Sequence, residues 1–221
     1  MIEPRFKLYG YWRSSSSWRV RIGLGLKGLA YEYAAVDLRT GAQFSSPHAE
    51  RNAMGQVPVL EVVEEGRTLH LVQSVAILEW LEERFPSPPL LPDERNARAR
   101  VRALVEHVNS GIQPFQNSSP LRWLREHGGL DEAWAREWIG RGLAGLEGAV
   151  RRGAGRFCHG DAVTLADVFV VPQLYGARRY GVDVGAFPTL LRVEESCRML
   201  EAFRLALPEV QPDAPAAERR S

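Results

Sequence analysis

Three short stretches hold the residue types from which a binding or catalytic site could be built: RSSSSW at 13–18, VPVLE at 57–61 and QS at 73–74. The four consecutive hydroxyls of Ser14, Ser15, Ser16 and Ser17 are either linker or a row of donors at the start of a helix. Val57-Pro58 stands where a strand begins, although proline removes a donor from the ladder. A cis Pro58 gives that arrangement a purpose, because it turns the backbone N–H and C=O of Val57 towards a ligand peptide. An edge-strand proline is the plainer alternative. Gln73-Ser74 opens an apolar run of helical period, which places Ser74 at an N-cap. A helix N-terminus there favours a carboxylate, with Gln73 as a donor beside it, unless the pair is a simple cap. The five histidines (48, 70, 107, 127 and 159) lack metal-ligand spacing, and Cys158 and Cys197 lie far apart without a CxxC pattern. No metal is expected, and two isolated cysteines suit a reducing cytoplasm.

The elements that must carry these residues fall into two halves. Strand-like runs (FKLYGY, YEYAAV, VPVLEV, TLHLV) alternate with helix-like ones up to FPSPPLLPD at 85–93, where four prolines cannot lie in a helix interior. VVEEGRTLHL reads as a hairpin with Gly66 near its turn. Beyond the prolines the pattern is mostly helical, from about 94 to 207. The expected organisation is an α/β domain over 1–85, a proline-rich linker over 86–93 and an all-helical domain over 94–221 that ends in a mobile tail, PDAPAAERRS.

Two segments carry finer signals. WRVRIGLGLKG has Trp18, Ile22 and Leu26 on one helix face, yet Val20, Ile22, Leu24 and Leu26 also alternate as in a strand. Gly23 and Gly25 each cost a helix up to ~1 kcal/mol. The serines upstream and Gly28 at a C′ position favour the helix, and pattern alone leaves both open. In DAVTLADVFVVPQ, Thr164 is an N-cap with Asp167 at N3, and Val163 and Val168 occupy the staple positions.

The 221 residues are 45% hydrophobic and 25% charged, the composition of a soluble globular protein. A net charge of +1 offers no global field to recruit nucleic acid or an anionic membrane. No stretch reaches the length of a membrane span, and MIEPRFKLYG lacks the character of a signal peptide, so a cytoplasmic protein is expected.

Taken in order, SSSSWRVRIGLGLKG, QVPVLE, QSVAILEWLEE, the proline-rich stretch, GIQPFQN, DAVTLADVFVVPQ, ARRYGVD and LEAFRLALPEVQPD resemble the zeta class of glutathione transferases over nearly the whole chain. The resemblance implies a thioredoxin-like N-terminal domain, an all-α C-terminal domain, a homodimer, and a helix over the ambiguous 18–26 segment. By the family pattern Val57 pairs through its backbone with the cysteinyl unit of glutathione, while Gln73 and Ser74 hold the γ-glutamyl carboxylate. Gln43 is expected at the glycine end, and Gln113 lines the same cleft. Arg179 matches the arginine that receives a substrate carboxylate, with a solvated helix residue as its alternative; Arg178 is more simply solvated. Arg13 is added as a substrate contact because it flanks the thiol site.

The implied activity is glutathione-dependent cis–trans isomerisation of an acidic cis-dienoate, maleylacetoacetate to fumarylacetoacetate in aromatic amino-acid catabolism. A serine hydroxyl at a helix N-terminus lowers a thiol pKa from its reference of ~8.5. The expected division of labour is that Ser14 donates to the thiolate, Ser15 supports it, Ser16 borders the substrate and Ser17 is structural. The class signature has cysteine where this chain has Ser16, which loosens the choice between maleylacetoacetate and maleylpyruvate as substrate. A glutathione-dependent dehalogenase and a non-catalytic binding module of the same fold are the remaining alternatives.

Overall fold

The computed structural model describes residues 4–219. The chain divides into two compact units, Met1–Pro88 together with Glu201–Ser221, and Pro89–Leu200.

The first unit is built on four strands, β1 (Arg5–Gly10), β2 (Tyr31–Ala35), β3 (Val59–Glu64) and β4 (Arg67–Val72), in the order β2-β1-β3-β4. β1 and β2 are parallel, with Leu8 opposite Tyr33, and β3 is antiparallel to β1 and to β4. A parallel pair needs a crossover, which the helix α1 (Ser15–Leu26) supplies. Glu65 and Gly66 join β3 to β4 with φ of 49° and 75°, the positive values a two-residue hairpin demands. Two more helices follow the pattern, α2 (Ser46–Arg51) before β3 and α3 (Ser74–Arg84) after β4. Leu8, Val20, Ile22, Leu24, Val59, Leu60, Ile77, Leu78 and Leu81 form the fully buried interior. This is the thioredoxin-like arrangement that the resemblance implies.

The ambiguous 18–26 segment is helical, and its glycines have a packing reason. A Cβ on Gly23 would stand 2.2 Å from a methyl of Leu78, and one on Gly25 would stand 3.1 Å from the Cβ of Ala202. α1 therefore approaches its neighbours where no side chain fits. Its end is a Schellman motif: Leu29 N–H donates to Leu24 O at 2.9 Å, Gly28 N–H donates to Gly25 O at 3.1 Å, and Gly28 takes φ +67°.

The second unit is helical: α4 (Arg95–Asn109), α5 (Ser118–Glu126), α6 (Asp131–Val150), α7 (Leu165–Arg179) and α8 (Pro188–Arg198). α7 is buried all round, as its nearly continuous apolar sequence requires. Its start is the expected capping box. Asp167 accepts from Thr164 N–H at 2.8 Å, from the Thr164 hydroxyl at 2.9 Å and from Cys158 N–H at 2.8 Å.

Two boundaries differ from the sequence-based division. The units part after Pro88, and Leu90 and Leu91 are buried, so the later half of the proline-rich stretch belongs to the helical unit. Leu165 N–H donates to Leu90 O at 2.8 Å, which ties that half down. Residues after 200 leave the helical half and pack with the first unit, beginning with α9 (Glu201–Leu205) against α1. Of the segment expected to be a mobile tail, residues 212–219 are anchored, because Ala214 is buried and the Asp213 carboxylate accepts hydrogen bonds from Trp12 and Tyr33; Arg220 and Ser221 lie outside the described residues. Its composition suggests a tail, but Asp213 and Ala214 have partners distant in sequence. Among the described residues no helix is long and apolar enough to cross a membrane.

Candidate active site

The serine row sits where β1 runs into α1. Tyr11 O accepts from Ser14 N–H at 2.9 Å, closing a turn over 11–14, and Ser14 then caps the helix. Its Oγ accepts from Ser17 N–H at 3.2 Å, and its carbonyl accepts from Trp18 N–H at 2.9 Å. A cap bond of this kind uses an oxygen lone pair and leaves the hydroxyl proton for an acceptor beyond the helix end. Ser15 and Ser16 follow in the first turn, whose amides have no intrahelical partner and favour negative charge. Ser14, Ser15 and Ser16 are half-buried, whereas Ser17 is 0% exposed and its Oγ would lie 3.2 Å from a Cβ placed on Gly10. Ser17 is thus a packing residue. Arg13 lays its guanidinium over the Trp12 ring, 5.1 Å from the centroid.

The Val57-Pro58 bond is cis, and Val57 packs beside the buried cluster of Tyr11, Trp12 and Ala214. The Gln56 carbonyl just before it is held twice, by His48 Nε2 at 2.9 Å and by Asn52 Nδ2 at 2.8 Å. His48, considered in the sequence only as a metal ligand, therefore braces this loop.

At the start of α3 the structure shifts the capping assignment by one residue. Ile77 N–H donates to Gln73 O at 2.9 Å, so Gln73 is the cap and Ser74 the first helical residue. Gln73 takes φ 68°, rare for a residue with a Cβ and costing of order 1–3 kcal/mol; such conformations collect at ligand sites. The Gln73 side chain is exposed, with its amide 3.8 Å from the Met54 sulfur. Ser74 is only 4% exposed, and its Oγ accepts from Arg19 Nη1 at 3.3 Å. Arg19 comes from α1 and is fully buried, so one guanidinium ties the helix that carries the serines to the helix start at Ser74. Sequence reasoning passed over Arg19 and Arg21. Their signal is two charges two residues apart in an otherwise apolar helix. Gln43 lies in a short 3₁₀ turn (Ala42–Phe44) and is 6% exposed, more enclosed than a contact to the glycine end of a ligand would suggest.

In the helical unit Gln113 opens a 3₁₀ turn (Gln113–Gln116), and its Nε2 donates to Asn117 Oδ1 at 2.8 Å. Gln116 Nε2 donates to Oε1 of the buried Gln173 at 2.9 Å, fixing that turn to α7. Arg179 is exposed in the last turn of α7, its guanidinium 5.5 Å from the Tyr180 ring. Its neighbour Arg178 is not merely solvated. It forms a two-pronged ion pair with the buried Glu194, at 2.7 and 2.5 Å. Cys158 and Cys197 are both buried, and burial pushes both thiols up, away from the thiolate form. Neither is suited to act as a nucleophile. No cluster of His, Cys, Asp or Glu among the described residues could hold a metal.

A thioredoxin-like sheet with a hydroxyl-capped helix start and a second, polar-capped helix start is the architecture of the glutathione transferase N-terminal domain. The glutathione S-transferase N-terminal domain family matches residues 4–83. Maleylacetoacetate isomerase of Anaeromyxobacter dehalogenans 2CP-1, in a structure with glutathione bound in the active site, is 63% identical and covers 97% of this chain and 100% of its own, with a TM-score of 0.92. A second structure of that enzyme holds dicarboxyethyl glutathione and citrate. The maleylacetoacetate isomerase of Pseudomonas aeruginosa is 45% identical over 216 residues, 96% of this chain and 100% of its own. The maleylpyruvate isomerase of a Ralstonia species is 42% identical, covering 94% of this chain and 99% of its own. The chain belongs to the zeta-class glutathione transferase and maleylacetoacetate isomerase family.

Proposed function

We propose that the protein is a glutathione-dependent cis–trans isomerase converting maleylacetoacetate to fumarylacetoacetate. The observation that carries this reading is the Ser14 hydroxyl, which caps α1 with its oxygen and keeps its proton for an acceptor, in a chain 63% identical to a glutathione-bound maleylacetoacetate isomerase. Glutathione, when bound, supplies the thiolate that adds to the cis double bond, allows rotation about the resulting single bond and leaves. The residues present fit that ligand: a capped helix N-terminus for a thiolate, and at α3 a polar, strained cap followed by Ser74 for a carboxylate.

Ser14 donates to the sulfur and lowers its pKa, and the first-turn amides of α1 add their partial positive charge. Val57 offers backbone groups to the cysteinyl unit, Gln73 and Ser74 hold the γ-glutamyl carboxylate, and Gln43 and Gln113 border the ligand. Ser15 supports Ser14, and Ser16 borders the substrate. Arg179, with Arg13, receives the substrate carboxylate and stabilises the enolate charge that develops during addition. The working protein is a cytoplasmic homodimer.

The specific observation favouring a second reading is Ser16, which stands where the class signature has cysteine and borders the substrate in this scheme. It makes maleylpyruvate the alternative substrate. Turnover of maleylacetoacetate and of maleylpyruvate with catalytic glutathione, followed by identification of the trans product, decides between them. Absence of both trans products would defeat the isomerase reading.

A further inference from the structure

We infer that Asp213, from the C-terminal segment, is a positioning residue for Ser14: it clamps the turn that delivers the catalytic hydroxyl. The inference rests on the assignment of Ser14 as donor to the thiolate.

The geometry is a clamp on one residue. Within the turn over 11–14, Trp12 N–H donates to Asp213 Oδ2 at 2.9 Å, and Trp12 O accepts from Arg21 Nη2 at 2.9 Å. Both main-chain polar groups of Trp12 are thus held by side chains of opposite charge. Each side chain is itself tied. Asp213 Oδ2 also accepts from the Tyr33 hydroxyl at 3.2 Å, and Arg21 Nε donates to Ala206 O at 3.2 Å. Arg21 is 1% exposed; burial works against its charge, while Tyr33, Tyr31 and Asp213 favour it. Burial likewise pushes the Tyr33 hydroxyl up, keeping it a neutral donor to the carboxylate.

The segment that brings Asp213 is fixed on either side. Gln211 Nε2 donates to Leu205 O and Leu207 O at 3.0 and 2.9 Å, and Arg219 donates to Ala214 O and Pro212 O at 2.9 and 2.8 Å. Ala214 is buried in one cluster with Tyr11 and Trp12, and Val57 packs against that cluster. A residue some two hundred positions away therefore sets the backbone on which the next residue but one is Ser14. Charge-assisted bonds to a buried main chain are strong and directional, and a small misplacement of a reacting group costs much of its effect.

The test follows the thiol of bound glutathione by its thiolate absorbance across pH, together with kcat and KM, in the full chain. Asp213→Ala should raise the bound thiol pKa and lower kcat/KM at neutral pH by about 10–100-fold, mostly through kcat. Asp213→Asn keeps an oxygen for Trp12 N–H and Tyr33, so it should restore much of the activity. In a Ser14→Ala background, Asp213→Ala should add almost nothing, because the clamp acts through that hydroxyl. Should Asp213→Ala fail to fold, Tyr33→Phe loosens the carboxylate and should shift the thiol titration in the same direction, by less. A wild-type titration in whichever of these two variants folds overturns the inference, as does an Asp213→Ala effect of equal size with and without Ser14. If Ser14→Ala itself leaves the thiol unchanged, the assignment of Ser14 falls and takes the clamp with it. A shift in Ser14→Ala alone overturns the clamp only.

Discussion

Four hydroxyls in a row cannot do the same work, because successive residues entering a helix point in different directions. The structure separates them by burial: Ser17 is sealed in the interior, and Ser14, Ser15 and Ser16 remain half-buried. Ser14 is doubly engaged, since its oxygen caps α1 while its proton remains to be given. Ser14→Ala should therefore cost stability by ~1 kcal/mol through the lost cap. It should also raise the pKa of bound glutathione by about 1–2 units, the equivalent of one hydrogen bond to a charged group. Titration of the bound thiol checks the second effect and thermal unfolding the first. Ser16→Cys should retain activity, as it restores the class signature. Ser74→Ala should weaken glutathione by roughly 1–3 kcal/mol, measured by calorimetry; unchanged affinity would remove Ser74 from the site. The serine row and the Gln73-Ser74 pair were legible as residue types before any fold was known. Arg19, Arg21 and Asp213 were not, because each has a partner far away in sequence (Ser74, Ala206 and Trp12), and no local pattern reports such a partner.

Elements were readable wherever the interactions that make them are local. The hairpin at Glu65-Gly66 and the capping box at Thr164 and Asp167 each close within a few residues, and both are found as expected. α1 was ambiguous because Gly23 and Gly25 weaken the helical pattern for the sake of contacts that sequence does not display. The same geometry makes opposite predictions for two glycine-to-alanine changes. Gly23→Ala places a methyl 2.2 Å from Leu78, itself buried, so overpacking of ~1–3 kcal/mol outweighs the gain in helix propensity. Gly145→Ala, in the middle of α6 with nothing within 4 Å of the new Cβ, should stabilise by ~0.5–1 kcal/mol. Urea unfolding of both variants checks the contrast, and a stabilised Gly23→Ala would show that α1 has room the structure denies. Asp167→Ala strips three bonds from the start of α7 and leaves the buried Cys158 N–H without its acceptor. It should cost at least ~1–3 kcal/mol.

At the scale of the whole molecule the division of labour runs along the chain. Residues assigned to glutathione lie in the sheet-containing unit, apart from Gln113, whereas Arg179 belongs to the helical one. The C-terminal segment breaks that simple order by returning to the first unit, which composition alone had hidden. The two adjacent arginines at the end of α7 then offer a sharp comparison. Arg178 grips the buried Glu194 with two hydrogen bonds and Arg198 adds a third at 3.2 Å, so Arg178→Leu removes the two shorter of the carboxylate's arginine contacts. Its damage should appear as lowered thermal stability, of about 1–3 kcal/mol, because Arg178 is itself partly exposed and Arg198 remains beside Glu194. Arg179 is exposed in the last turn of α7. Arg179→Leu should leave unfolding and glutathione affinity close to wild type. It should lower kcat/KM for the dienoate by about 10–100-fold, as expected for one charge-assisted hydrogen bond to a carboxylate of ~1.5–3 kcal/mol. Lysine at 179 keeps the charge but loses the paired geometry, so it should recover only part of the loss. Equal damage to glutathione binding and to substrate turnover would make Arg179 a structural residue and leave the substrate carboxylate in need of another partner.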